Sequence, residues 1–346
     1  MSILSETQYN LPKHKSRLYC TDSLDSSSQD IEMHTPGWQT EDKDFQDLLK
    51  TNFFPANPFY LHSKQENITV SMRATLIDWV FEISSDFYLK RDTCHKAINL
   101  IDRYLSYSIS IKREKYQLIG LVALIISCKF EEVTYPKITD FIKSAGNIYT
   151  VLDIRNMERD ILRCLQWRIS GVSVWSIADW LCTQWDLFIV HCFGRKIPEI
   201  MLKDIKGFRR YREVVQIIDV CAMDIEVLKF DFKVLAACAV YLVLFKCIQQ
   251  GQNFPPGLYP SPEKSLRNFL DTFSIFLTGT LEIDNFDKLY NCGIFINQYL
   301  PIQTNYDFPK VCKTGLKPEY HYQNFLSYQT YNPQNIQSVK LITHKS

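Results

Sequence analysis

The chain has 346 residues, of which 46% are hydrophobic and 22% charged, and its formal net charge is +1. A length of this order suggests about two domains, and the composition is ordinary for a globular protein. The near-neutral charge excludes a global electrostatic attraction to nucleic acid or to a membrane surface, so we expect neither as a partner.

The apolar runs predict buried helices, and the cysteines favour a protein of the reducing cell interior. The runs 118–128 and 234–245 are shorter than the ~20 residues that a membrane-spanning helix needs, so they predict buried helices. Residues 1–20 lack the apolar core of a signal peptide. The eleven cysteines form no CxxC pair. We therefore expect no structural zinc site and no cofactor.

The chain begins with a polar stretch and then becomes helical. Residues 1–44 are rich in Ser, Asp, Gln and Pro, which predicts a disordered N-terminal tail. Around 76–87, 94–105 and 154–165, apolar residues recur at three- and four-residue steps, which predicts helices with one buried face. Asp92 is placed to cap the second of these helices. Thr150 and Asp153 have the spacing of a capping box before the third.

Residues 116–133 are apolar on all sides, which predicts a central helix enclosed by the others. Tyr135-Pro136 is expected to end it. A short helix near 137–144, ended by Gly146, completes a group of about five helices in residues 70–168.

A comparable group of helical patterns follows the first. The patterns lie at 172–189, 208–228, 230–249, 264–279 and 284–297. Strand-like alternation is scarce in both groups. The sequence therefore predicts an all-α fold of two tandem five-helix domains, at 45–169 and 170–300, followed by a C-terminal tail at 301–346.

Four motifs in the first predicted domain together resemble the cyclin box. They are MRATLIDW (72–79), IDRYLS (101–106), LIISCKFEEV (124–133) and NMERDILRCLQWRIS (156–170). Cyclins show similar motifs in this order and at these distances. In the second domain, IIDVCAMDIEVLKFDFKVLAACAVY (217–241) and LPIQTN (300–305) resemble cyclins of the E type. The resemblance covers about residues 45–306.

The resemblance implies the cyclin fold and a non-catalytic role. Such a chain is the regulatory subunit that binds a cyclin-dependent kinase and activates it allosterically, here promoting G1/S progression. It implies a nuclear protein with a further pool in the cytoplasm. The sequence has no Gly-rich phosphate loop and no HExxH motif, so the catalytic chemistry is expected in the partner.

Five residues match cyclin positions that contact the kinase. By this resemblance Lys129 and Glu158 form a polar pair that hydrogen-bonds the kinase segment holding its regulatory helix. Phe130, Trp167 and Ile169 match positions that pack against that helix. Aromatic anchors of this kind often dominate binding energy.

A second set of residues matches the apolar groove in which cyclins hold Arg-x-Leu peptides of substrates and inhibitors. Its members are Met72, Leu76, Trp79, Glu82 and Gln117. Thr75 stands where cyclins usually have isoleucine, and Tyr116 where leucine is common. Because these differences remove apolar area and add hydroxyl groups, we expect weakened or altered docking.

Two further assignments follow from the resemblance. Arg73 is expected to pair with Asp102 inside the first domain, which joins two helices and is an architectural role. Thr35-Pro36 is a candidate phosphorylation site of the kind that directs E-type cyclins to a ubiquitin ligase. No Arg-x-x-Leu destruction box occurs in residues 1–44.

Three other functions are alternatives to the activation of a kinase. A general transcription factor of the cyclin fold would bind DNA through clustered Lys and Arg, and the near-neutral charge gives this little support. The others are a cyclin-fold helical adaptor that has lost kinase binding, and a transcription-associated cyclin. The presence of Lys129 and Glu158 argues against lost binding.

Overall fold

The chain folds into α-helices whose apolar faces are buried against one another. The structure is a computed structural model, and it describes residues 43–51, 54–193, 209–249, 273, 276–277, 280–283 and 286–299. Its helices are α1 (Lys43–Thr51), α2 (Tyr60–Ser63), α3 (Val70–Asp86), α4 (Arg91–Tyr107), α5 (Tyr116–Glu131), α6 (Ile138–Ser144), α7 (Val151–Cys164), α8 (Val174–Phe193), α9 (Arg209–Met223), α10 (Phe232–Gln249) and α11 (Phe286–Asn297). These residues contain no β-strand, and the predicted all-α class is confirmed.

The first helix set, α3 to α7, is built around α5. This helix packs against α3, α4, α6 and α7. Every residue from 118 to 128 is buried, because the helix has no polar face to present to water. The predicted central helix is confirmed, but it ends at Glu131 and not at Tyr135-Pro136. Glu132 takes an extended conformation, and its carboxylate accepts hydrogen bonds from the Lys90 N–H at 2.8 Å and the Thr93 hydroxyl at 2.6 Å.

The second helix set, α8 to α11, has α10 in the corresponding position. This helix packs against α8, α9 and α11, and residues 234–240 are all buried. The predicted helix at 208–228 is wrong at its end. Asp224 is extended and its side chain accepts a hydrogen bond from the Glu226 N–H at 2.9 Å, which starts a separate 3-10 helix at Ile225–Lys229.

The two predicted helix caps have opposite outcomes. The capping box is confirmed: the Asp153 N–H donates to the Thr150 hydroxyl, and the Thr150 N–H donates to the Asp153 carboxylate. The prediction for Asp92 is wrong, because the N-cap of α4 is Lys90, two residues earlier, and the helix begins at Arg91. The Asp92 carboxylate is used elsewhere, at the start of α8.

The helix α1 lies beside the second helix set. The rings of Phe45 and Trp180 are 5.0 Å apart between centroids, and Lys50 approaches Glu282 to 4.0 Å. The two sets meet where α3 packs against α9 and α4 against α8.

Some predictions fall beyond the described residues. The predicted tails at 1–44 and 301–346 lie outside them, apart from the start of α1, and so does most of the predicted helix at 264–279. Among the helices that are described, none is long and apolar enough to cross a membrane.

Candidate functional site

Arg73 of α3 is fully buried and is held by Asp102 of α4. Its Nε and Nη2 donate to the two carboxylate oxygens of Asp102, at 2.8 and 2.7 Å. The Tyr60 hydroxyl donates to the same carboxylate at 2.8 Å. Burial acts to lower the pKa of Arg73, but the Asp102 carboxylate outweighs it and raises that pKa, so the guanidinium stays charged. The structure thus brings together the two residues expected to pair.

The remaining nitrogen of Arg73 reaches the second helix set. Its Nη1 donates to the backbone carbonyls of Ala222 and Met223, at 3.0 Å each. These carbonyls end α9, where oxygen atoms lack partners within the helix and the helix dipole is negative. The contact spans 149 sequence positions, and no local pattern pointed to it.

Lys129 and Glu158 form an ion pair at the rim of the first helix set. Lys129 lies in the last turn of α5 and Glu158 in α7, with Nζ and Oε1 2.5 Å apart. Their side chains are 33% and 17% exposed, so the pair is accessible although partly desolvated. Such an arrangement holds a donor and an acceptor ready for the polar groups of a partner.

The three apolar residues expected beside this pair are exposed to different extents. Phe130 is 48% exposed and Trp167 69% exposed, which is unusual for large aromatic side chains. Ile169 is half-buried and packs against the core of the first set. Phe130 follows Lys129 directly, and Trp167 lies in the turn after α7.

Sequence reasoning missed a lysine that supports Phe130. The Lys96 ammonium is 2.5 Å from Glu131 Oε1, 3.0 Å from Asp92 Oδ2 and 5.8 Å from the centre of the Phe130 ring. A cation at this distance from a ring face is attracted to it. The four-residue spacing of Asp92 and Lys96 on a helix was the available signal.

The residues expected to form the docking groove do not all present surface. Met72 and Trp79 are half-buried on α3, and Glu82 is exposed. Leu76 is buried where α3 crosses α5. Its side chain lies against Gly120, since a Cβ built on that glycine would be only 2.7 Å from Leu76 Cδ1. Leu76 therefore packs between the helices and offers almost no area to a ligand.

The remaining groove residues have hydroxyl groups close by. Gln117 is half-buried, and its Oε1 accepts a hydrogen bond from the Tyr149 hydroxyl at 3.3 Å. The Thr75 hydroxyl donates to the Ser71 carbonyl at 2.9 Å within α3. Tyr116 is buried, and its hydroxyl has no hydrogen-bond partner among the described residues. Burial and the nearby Asp102 carboxylate raise the pKa of Tyr116.

Asp219 of α9 is a second buried carboxylate that joins the helix sets. It accepts hydrogen bonds from Arg91 at 3.0 and 2.6 Å and from His95 Nε2 at 2.8 Å, both on α4. Close by, the Asp92 carboxylate accepts from the hydroxyls of Ser173 and Ser176, at 2.5 and 2.6 Å. Thr35, the candidate phosphorylation site, lies outside the described residues.

Comparison with known proteins finds a family match for the first part of the chain. Residues 45–170 match the cyclin N-terminal domain. The chain is 33% identical over 192 residues to Cyclin-B2-2 of Arabidopsis thaliana, covering 56% of this chain and 40% of that protein. It is 39% identical over 195 residues to Cyclin-A2 of Homo sapiens, with 56% and 40% covered.

An E-type relative is also similar. The G1/S-specific cyclin-E of Hemicentrotus pulcherrimus is 28% identical over 226 residues, covering 63% of this chain and 50% of that protein. The chain thus spans half or less of the length of these three relatives. Cyclins of the B, A and E types are all similar to this chain, so the comparisons support a cell-cycle cyclin domain without favouring type E.

Proposed function

We propose that this chain is the regulatory subunit of a cyclin-dependent kinase, which it binds through the first helix set and activates allosterically. The observation that carries the proposal is the Lys129–Glu158 pair, preformed at 2.5 Å beside the exposed Phe130 ring. The match of residues 45–170 to the cyclin N-terminal domain supports the same conclusion.

The mechanism is differential binding to two kinase conformations. The charged pair orients the partner, while the rings of Phe130 and Trp167 and the half-buried Ile169 supply apolar area. If this surface fits the active position of the kinase's regulatory helix better than the inactive one, binding shifts the kinase toward the active state. The kinase supplies the groups that transfer the phosphoryl group.

The surface of α3 supports docking of Arg-x-Leu segments as a second part of the proposal. Met72 and Trp79 offer partly exposed apolar area, and the Glu82 carboxylate is free to face a basic residue in solvent. Gln117 lies on the neighbouring helix. Because Leu76 is buried and the area is small, we expect weak docking that depends strongly on Trp79.

The cell-biological setting is a further part of this proposal. The E-type resemblance of residues 217–241 and 300–305 supports a role in G1/S progression and a nuclear location with a cytoplasmic pool. Thr35-Pro36 supports turnover through phosphorylation and a ubiquitin ligase.

The test is co-purification with cyclin-dependent kinases, followed by a kinase assay. The variant is Lys129→Ala/Glu158→Ala, and the matched control is Lys143→Ala/Asp140→Ala, which removes an exposed pair at 3.2 Å on α6. We expect wild type and control to bind and stimulate the kinase, and the variant to lose both while keeping its melting temperature. A folded wild type that binds no such kinase contradicts the proposal.

A further inference from the structure

The turn between α3 and α4 holds an aromatic side chain in solvent on a strained backbone. Tyr88 has φ +53° and is 95% exposed. Its N–H donates to the Ser85 carbonyl at 3.1 Å, and the Leu89 N–H donates to the Ser84 carbonyl at 2.9 Å. This pair of bonds is the Schellman motif that ends a helix, and Tyr88 is its left-handed residue.

Folding alone does not explain a tyrosine at this position. Glycine is preferred there because a Cβ disfavours the left-handed conformation. Glycine occupies the corresponding position at the end of α6, where Gly146 has φ +76° and the same two bonds form, whereas Gln166 occupies it after α7 with φ +51°. The Tyr88 ring, almost wholly in solvent, gains little by packing. A tyrosine that keeps a left-handed backbone and gains no packing contacts in exchange points to a functional role.

The turn of Tyr88 is attached to the residues that follow Phe130. The Lys90 N–H donates to Glu132 Oε1 at 2.8 Å, and the Lys90 ammonium donates to the Glu131 carbonyl at 3.1 Å. Val133 comes next in the chain and is 93% exposed. The turn that holds Tyr88 is therefore hydrogen-bonded, through Lys90, to the segment that lies between Phe130 and Val133.

Tyr88 lies beyond one end of the proposed docking groove on α3. It follows Met72 by 16 residues but Glu82 by only six, which is roughly 9 Å along a helix axis. Distance along α3 therefore does not separate Tyr88 from the groove. The two hydrogen bonds from Lys90 to Glu131 and Glu132 are what link its turn to the proposed kinase-binding residues.

We propose that the kinase-binding surface extends from Lys129 and Phe130 over Val133 to Tyr88, whose ring is a further anchor for the kinase. This inference rests on the proposed function. Tyrosine suits such a role, since it combines a large apolar face with a hydroxyl group at a low cost in side-chain entropy. The partner is expected to present an apolar recess there.

Tyr88→Gly separates a binding role from a folding role. Glycine removes the ring and relieves the left-handed backbone, so we expect a melting temperature equal to or above that of wild type. Affinity for a purified cyclin-dependent kinase that co-purifies with wild type, measured by calorimetry, should fall by about tenfold. The matched control is Ile109→Ser, because Ile109 is also a strongly exposed apolar residue (78% exposed) and lies beyond the opposite end of α4. It should leave affinity unchanged.

The outcomes distinguish this inference from the proposed function. If Phe130→Ala weakens kinase binding and Tyr88→Gly does not, the extension is wrong and the proposed function stands. If Tyr88→Gly lowers the melting temperature markedly, the ring serves the fold and the extension is again wrong. If wild type binds no kinase, both fail.

Discussion

Arg73 remains buried because each of its three guanidinium nitrogens donates to an oxygen atom. Two of them reach the Asp102 carboxylate, and the third reaches the carbonyls that end α9. Without Asp102 the guanidinium would keep the two carbonyls but lose its counter-charge in a region that water does not reach. A buried charge in that position is strongly destabilising.

Asp102→Ala should therefore lower the free energy of unfolding by about 3–5 kcal/mol, the usual cost of breaking a buried ion pair. Urea denaturation followed by circular dichroism measures this change. Asp140→Ala is the control, because it removes an exposed carboxylate and should cost less than about 0.5 kcal/mol. Equal effects of the two substitutions would show that the buried pair contributes no more than an exposed one.

The crossing of α3 and α5 depends on the missing side chain of Gly120. A Cβ there would lie 2.7 Å from Leu76 Cδ1 and 3.1 Å from Leu76 Cγ, and Leu76 is buried. Leu76 thus has little room to move. A side chain at this position would fit between the two helices, which carry most of the proposed binding residues, only if the buried Leu76 side chain shifted.

Gly120→Ala should destabilise the protein although alanine favours helix. Overpacking costs about 1–3 kcal/mol, while the gain in helix propensity is about 1 kcal/mol. The matched control is Gly293→Ala on α11, where the nearest atom is Cys238 Sγ at 3.5 Å, an ordinary contact. This control should be neutral or stabilising. In a Leu76→Ala background the penalty of Gly120→Ala should disappear, and its persistence there would exclude the clash as the cause.

The junction of α4 and α8 is held by the Asp92 carboxylate. Burial alone would raise the pKa of Asp92. The hydrogen bonds from Ser173 and Ser176 and the charge of Lys96 outweigh burial and place that pKa below its ordinary value. Since the pKa is lower in the folded state, the unfolded chain binds more protons between the two values.

The stability that Asp92 contributes should therefore be complete at neutral pH and decline as pH falls below about 4, the pKa of an unfolded aspartate. We expect the difference in unfolding free energy between wild type and Asp92→Asn to be largest at pH 7 and to shrink at pH 3. Urea titrations across this range test the expectation. Asp140→Asn is the control and should show a smaller effect at neutral pH. If the difference in unfolding free energy between wild type and Asp92→Asn does not change with pH, the lowered pKa of Asp92 is contradicted.

Across the whole molecule, the sequence predicted the features that depend on residues close together in the chain. The central helices α5 and α10 were predictable because a helix without a polar face must be enclosed, and the Thr150 capping box because its partners are three residues apart. The end of α5 was not, because Glu132 bonds Lys90 and Thr93 from 42 and 39 positions away. Asp92 was misassigned for the same reason, as its partner Ser173 is 81 positions away.

The candidate site was predictable only in part. Resemblance to cyclins pointed to Lys129 and Glu158, whose proximity no periodicity predicts. It could not show that Leu76 is buried, since a core face and a groove-lining face have the same helical spacing. Lys96 and Tyr88 were missed, because their importance lies in a ring contact and in a backbone angle.

Buried polar contacts join the two helix sets of the molecule. Asp219 of α9 accepts hydrogen bonds from Arg91 and His95 of α4, and Arg73 of α3 donates to the end of the same helix. Because such contacts are strong only when every member is in place, they favour unfolding of both sets together.

Asp219→Ala should therefore weaken the coupling between the sets as well as the stability. Removing one partner of a buried charged group costs about 3–5 kcal/mol. Hydrogen exchange measured by mass spectrometry reports the two central helices separately. In wild type, the most protected amides of α5 and α10 should exchange with the same free energy, and in Asp219→Ala the two values should separate.

A small core cavity tests whether this separation reflects lost coupling. Ile161 is fully buried in α7, and Ile161→Val should cost about 0.5–1.5 kcal/mol. In the wild-type background this loss should appear equally in α5 and α10, because the sets open together. In the Asp219→Ala background it should appear in α5 and leave α10 unchanged. An equal loss in both helices there would show that apolar packing alone couples the two sets.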